Sequence, residues 1–259
     1  MNKTKKILIA FSILLLVFSL AGIARNFLRD AHAQKQIEEL ARQLENTESD
    51  TGGDVDSPPL IAEKANERVM LPEFRELYER NPDIVGWLTI DNTRIDYPVM
   101  QSLEDGEYYL YRDFDKKEND NGLPFLDVQS RIGESDILLL HGHNMKSGMM
   151  FADLIHYKKE SYYKEHPTIR FSTLYEKAEY EIVAVILSEV YRKSDDVFKY
   201  YQVEKAGTPA EFDSYVQNIK KLALYDTGVS ARYGDQLIVL STCEYSTENG
   251  RIAVVARKL

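Results

Sequence analysis

Three observations predict a mainly β chain folded into a closed or nearly closed eight-stranded barrel. Eight short runs are rich in aliphatic and β-branched residues, turn-forming segments separate them, and one amphipathic helix interrupts the series late in the chain. The runs are Ile84–Ile90, Ile95–Met100, Leu123–Val128, Asp136–Leu140, Thr168–Ser172, Glu179–Glu189, Gln236–Thr242 and Arg251–Ala256. There is no internal repeat. A length of 259 residues with 44% hydrophobic composition suits one sizeable domain with appendages. The formal net charge of −10 argues against nucleic acid or anionic lipid as the main partner.

Taken in order, the first segment is not globular. Lys3, Lys5 and Lys6 precede an uncharged apolar run from Ile7 to Ala24, and Arg25 and Arg29 follow it. At about 1.5 Å per residue this run just crosses a hydrocarbon core of about 30 Å. Ala31-His32-Ala33 offers an A-x-A cleavage site, but it lies beyond Arg25, Arg29 and Asp30, a poor processing context. The reading is therefore an uncleaved signal-anchor. Its lysine cluster favours a cytoplasmic amino terminus, with the bulk of the chain outside the membrane.

From Asp30 to Asn46 the sequence favours a juxtamembrane helix, with Ile37, Leu40 and Leu44 at helical spacing. The stretch Thr47–Pro59 is acidic and rich in Gly, Ser and Pro, which reads as a flexible linker. The predicted layout is a cytoplasmic tip and anchor (1–29), a juxtamembrane helix and linker (30–63), and a globular domain (64–259). Leu71-Pro72-Glu73 opens a short helix with Phe74, Leu77 and Tyr78 on one side, and Asn81-Pro82-Asp83 ends it. The late helix starts at Thr208-Pro209-Ala210-Glu211, which has the form of a capping box. Phe212, Tyr215, Val216, Ile219 and Leu222 follow on one face.

The last two strands carry the first chemical feature. Leu237–Cys243 and Arg251–Ala256 read as antiparallel partners joined by a polar turn. Strand alternation places Leu237, Val239, Ser241 and Cys243 on one face, and Arg251, Ala253, Val255 and Arg257 on one face. Facing each other across the hairpin, Cys243 and Arg251 would hold their Cβ atoms about 5 Å apart. A cation beside a thiol favours the nucleophilic thiolate, and its donors can bind an oxyanion. Most free cysteines are instead small buried hydrophobes. Yet this is the chain's one cysteine, in an exported segment where cysteines usually pair, and that points to a reactive thiol.

The second feature is Leu140-His141-Gly142-His143-Asn144, directly after an apolar strand. Histidines at a strand end, beside a glycine that lets the backbone turn, suit a base exposed at a barrel rim. An H-x-H pair can also bind a metal, but no carboxylate or second cysteine stands at ligand spacing. A hydrogen-bonded loop histidine is the plain structural reading.

With these residues in hand, the chain resembles the sortases, and most closely class B sortases. The resemblance runs from Asn81 to the carboxyl terminus. It rests on Asn81–Trp87, Ile95–Val99, Tyr108–Leu110, Phe125-Leu126-Asp127, Gly142–Met145, Leu240–Cys243 and Gly250-Arg251. It implies a sortase-type barrel with peripheral helices, one before the first strand and one before the cysteine strand. It further implies a membrane-anchored transpeptidase of a Gram-positive surface. Such an enzyme cleaves a sorting signal of the Asn-Pro-x-Thr type after its Thr and passes the acyl group to an amine of a cell-wall precursor. By this resemblance Cys243 is the nucleophile, His143 the general acid and base, and Arg251 the oxyanion stabiliser. A backbone N–H near Glu244 joins Arg251 in that role. Leu110, His141, Ser241, Thr242 and Glu244 fall at substrate-side positions. No metal or cofactor is implied. His141 stands where relatives often carry Tyr, and Gly106 where they often carry Asn, and both positions face the substrate in those relatives. The competing enzyme reading is an exported cysteine peptidase or amidase that hydrolyses without transfer. Papain-like peptidases, however, place Cys before His, the reverse of the order here. A non-enzymatic reading is an anchored β-barrel binding module with a structural cysteine.

Overall fold

The computed structural model describes residues 3–50 and 68–259. By compactness the chain divides into Met1–Glu39 and Leu40–Leu259. Helix α1 (Lys3–Asp50) is one continuous run of 48 residues that takes in both the apolar segment and the stretch Asp30–Asn46. No proline lies within it, and a single Gly22 costs only about 1 kcal/mol relative to alanine. Part of α1 is long and apolar enough to cross a membrane, with a mean hydropathy of 1.9. The first residues of the expected linker, Thr47–Asp50, belong to this helix. The remainder of the linker and the domain boundary at 64 fall outside the described residues.

All eight expected strands are present: β1 (Ile84–Thr89), β2 (Asp96–Met100), β3 (Phe125–Leu126), β4 (Ile137–His141), β5 (Thr168–Thr173), β6 (Lys177–Glu189), β7 (Leu237–Cys243) and β8 (Gly250–Lys258). They close into a barrel in the order β1-β2-β3-β4-β7-β8-β6-β5. Only β2–β3 and β4–β7 pair in parallel. Strand β3 is much shorter than the run Leu123–Val128 predicts. Pro124 has no N–H to donate, and the Asp127 carboxylate accepts the Gln129 N–H at 2.8 Å, turning the chain out of the ladder.

Alternation splits the apolar strands between two faces. Leu138, Leu140, Ile238, Leu240, Ile252 and Val254 fill the barrel interior and are essentially inaccessible. Ile137, Leu139, Leu237, Val239, Ala253 and Val255 form an outer face, onto which α4 (Pro209–Leu222) packs Phe212, Tyr215, Val216 and Ile219. Each such apolar side chain contributes about 1.5–3 kcal/mol by burial. The predicted capping box is formed, Thr208 accepting from the Glu211 N–H while the Glu211 side chain accepts from the Thr208 N–H. Leu222, placed on the buried face by spacing, is 41% exposed because the helix ends there and Ala223 is extended. The short helix α2 (Arg75–Arg80), entered through a 3-10 turn at Pro72–Phe74, buries Phe74 and Leu77 but leaves Tyr78 exposed, and a second short helix, α3 (Glu160–Glu165), precedes β5.

Candidate active site

Strands β4, β7 and β8 run in register, with His141 opposite Ser241, Ser241 opposite Ala253, and Cys243 opposite Arg251. In-register neighbours project to the same side, so these residues continue the outer face that α4 covers lower down. Where α4 stops covering it, that face is the floor of a cavity of about 580 Å³. One wall is the segment Gly106–Tyr111, and the other comes from Val190, Tyr200 and Tyr201. Leu110, His141, His143, Ser241, Thr242, Cys243 and Arg251 all line it. Glu244 does not.

Cys243 is half-buried and opens onto this cavity. The Arg251 guanidinium is steadied by its own hairpin, Nη1 donating to the Gly250 carbonyl at 2.9 Å and the Asn249 carbonyl at 3.4 Å. His143 lies just past β4, and its Nε2 is 2.9 Å from the Leu110 carbonyl. A carbonyl only accepts, so Nε2 carries the proton and Nδ1 is left for other partners. Leu110 therefore touches the site through its backbone as well as lining the cavity. Between the two histidines only glycine fits, since a Cβ on Gly142 would stand 2.7 Å from the Phe151 ring.

The histidine loop is sewn to the cysteine strand. Asn144 Nδ2 donates to the Cys243 carbonyl at 2.9 Å, Thr242 Oγ1 donates to the Gly142 carbonyl at 2.7 Å, and the Gly142 N–H donates to the Ser241 carbonyl at 3.2 Å. Thr242 is thus a tether whose side chain alternates away from Cys243. The Ser241 hydroxyl is 2.6 Å from the Tyr200 hydroxyl, and burial pushes the Tyr200 phenol up to about 12, so it stays protonated.

Two expectations for Glu244 are corrected. Its carboxylate turns from the cavity to the Lys158 ammonium and to the Ser246 hydroxyl and N–H, and these partners, Lys158 foremost, hold its pKa at about 2. Its backbone N–H donates to the Gly250 carbonyl at 2.9 Å inside the hairpin, so it is not a free oxyanion donor. The H-x-H pair also diverges, His143 going to Leu110 and His141 to Asp127, with His141 Nε2 3.0 Å from Asp127 Oδ2.

Sequence reasoning missed Tyr200 and Tyr201. They belong to the connection between β6 and α4, where no periodicity links them to Ser241. Two adjacent tyrosines in a polar stretch were the one available signal.

A family model for the sortase domain matches residues 88–259, and the chain belongs to the sortase family. Within that family its resemblances are to class B members, which makes it a sortase transpeptidase in general terms. It is 37% identical to Sortase B of Listeria monocytogenes over 185 residues, covering 70% of this chain and 72% of that one. A crystal structure of Bacillus anthracis sortase B in complex with AAEK1 superposes with a TM-score of 0.71 at 27% identity, covering 90% of this chain and 99% of that one. A Staphylococcus aureus sortase B–substrate complex gives a TM-score of 0.74 at 24% identity, covering 90% and 98%.

Proposed function

We propose that the chain is a membrane-anchored sortase of class B that cleaves a carboxyl-terminal sorting signal after its threonine and transfers the acyl group to an amine of the cell wall. Cys243 is the nucleophile, His143 the general acid and base, and Arg251 the oxyanion donor. The observation that carries this reading is the direct pairing of Cys243 with Arg251 across β7–β8, on a cavity that His143 also lines.

The steps follow from the residue types. The Cys243 thiolate attacks the threonine carbonyl carbon, and the carbonyl electron pair becomes an oxyanion bound by the Arg251 guanidinium. As the tetrahedral centre collapses, protonated His143 delivers the Nδ1 proton to the departing amine, leaving a thioester and a neutral imidazole. An incoming amine attacks the thioester and surrenders its proton to His143 Nδ1. Collapse expels the Cys243 thiolate and restores the starting pair. Class B relatives suggest a signal of the Asn-Pro-x-Thr type and an amine of a peptidoglycan precursor as acceptor. Leu110, His141 and Ser241 offer themselves to the signal. The apolar part of α1 would anchor the chain with its amino end in the cytoplasm and residues 64–259 outside.

The test is incubation of the full chain, in detergent, with a panel of Thr-containing peptides and candidate amines. Amine-dependent formation of a Thr–amide product, through a thioester trapped on Cys243, supports transfer. Hydrolysis that no amine intercepts would establish the peptidase reading instead.

A further inference from the structure

The cavity holds a second imidazole that the proposed chemistry does not use. His141 ends β4, with its backbone paired to Phe125 on one side and Ser241 on the other, and its ring lies 5.4 Å from the Phe125 ring. Its Nε2 is 3.0 Å from Asp127 Oδ2. No other hydrogen-bond partner of the ring is found among the described residues, so Nδ1 is open to the cavity.

Asp127 is itself fixed from three directions. Its Oδ1 accepts the Gln129 N–H at 2.8 Å, its N–H donates to the Leu139 carbonyl at 2.8 Å, and its carbonyl accepts from Gln101 Nε2 at 2.9 Å. Burial alone would raise its pKa. The bond from His141 and the Gln129 N–H outweigh that and hold the carboxyl below its ordinary value. An ionised carboxylate only accepts, so the shared proton sits on Nε2, and in the singly protonated ring Nδ1 is left with a bare lone pair.

We propose that His141 is a specificity-determining residue for the donor peptide, and that Asp127 sets its preference by locking the tautomer. Nδ1 then accepts a hydrogen bond from an N–H donor, such as a side-chain carboxamide, and disfavours a carboxylate in the same place. Once a bound peptide covers the half-buried ring, leaving Nδ1 without a partner is what gives such a site its discrimination. This deepens the transpeptidase reading and rests on it.

The test uses the full chain in detergent and Thr-containing peptides with Asn, Asp or Ala at each position before the Thr. At one position the wild type should form thioester on the Asn peptide about 10-fold more efficiently than on the Asp peptide. In Asp127→Asn the new carboxamide can donate to Nε2, which moves the ring proton to Nδ1. The Asn/Asp ratio at that position should then fall to about 1 or below, with ratios elsewhere unchanged. A ratio that does not move, or an equal loss on every peptide, would overturn the proposal. Nitrogen-15 spectra of the wild-type imidazoles decide the tautomer even where the variant fails to fold. A protonated Nε2 with an unprotonated Nδ1 at His141 supports the lock, and the reverse sinks it. Absence of thioester on every peptide in the wild type counts against the transpeptidase reading and leaves the spectroscopic result standing.

Discussion

Replacing Arg251 by lysine keeps a positive charge opposite Cys243 but exchanges a planar five-donor fork for a flexible point charge. If the guanidinium binds the oxyanion by direction as well as charge, kcat/KM for thioester formation should drop about 10²–10³-fold in Arg251→Lys. The rate of Cys243 alkylation should fall far less. Full peptide activity in this variant would remove the oxyanion assignment. Cys243→Ala should form no acyl-enzyme at all, read by mass spectrometry after incubation with peptide. Gly106 belongs to the same scale. A Cβ there would meet Val128 Cγ1 at 2.8 Å, so any larger side chain must displace a residue of the cavity wall. Gly106→Asn should accordingly change the ranking of peptides more than it changes reaction with a small thiol reagent.

The β7–β8 hairpin is where element and chemistry meet, because its loop is held from outside by the Lys158–Glu244 ion pair. Glu244 has a folded pKa of about 2, below its ordinary value near 4.5, so it contributes stability that is fully present above about pH 4.5 and lost as pH falls toward 2. Glu244→Gln should therefore melt below the wild type at neutral pH, and the two melting temperatures should converge as the pH is lowered from 4.5 to 2. Parallel curves over that range would show that the pair does not hold the loop electrostatically. At the neighbouring element, Thr208→Ala removes the α4 cap and should cost about 1 kcal/mol in a denaturant titration. Phe212→Ala should cost about 3–5 kcal/mol, because it empties the contact between α4 and the outer face. These elements also divide what the sequence could reveal from what it could not. The facing of Cys243 and Arg251 was legible because a strand repeats every two residues and a short turn leaves little choice of register. Glu244 was not, since its partner Lys158 is 86 residues away and nothing local announces an ion pair. The same holds for Tyr200 against Ser241, a contact across 41 residues. The brevity of β3 was readable in principle from Pro124, but the apolar pattern concealed it.

At the scale of the whole molecule, one cysteine turns topology into a measurable quantity. Ile13, Leu14, Leu15, Leu16 and Val17 of α1 are all exposed, and at about 100° per residue they go round the whole helix, so the apolar surface is not a stripe that a partner face could cover. A lipid environment satisfies such a helix, whose backbone bonds are internal. Deleting residues 1–29 should shift the chain from the membrane fraction to the aqueous fraction. Leu16→Arg should weaken insertion, given a cost of about 2.5–3.5 kcal/mol for a charge at mid-helix. Orientation is then read through Cys243, which is half-buried at the cavity and is the only thiol in the chain. With the amino-terminal lysines inside, a membrane-impermeant thiol reagent added to intact cells should modify Cys243, and saturating the cavity with peptide should slow that modification. Protection of Cys243 until the cells are lysed would place the cavity on the cytoplasmic side, where no cell-wall amine could reach the thioester.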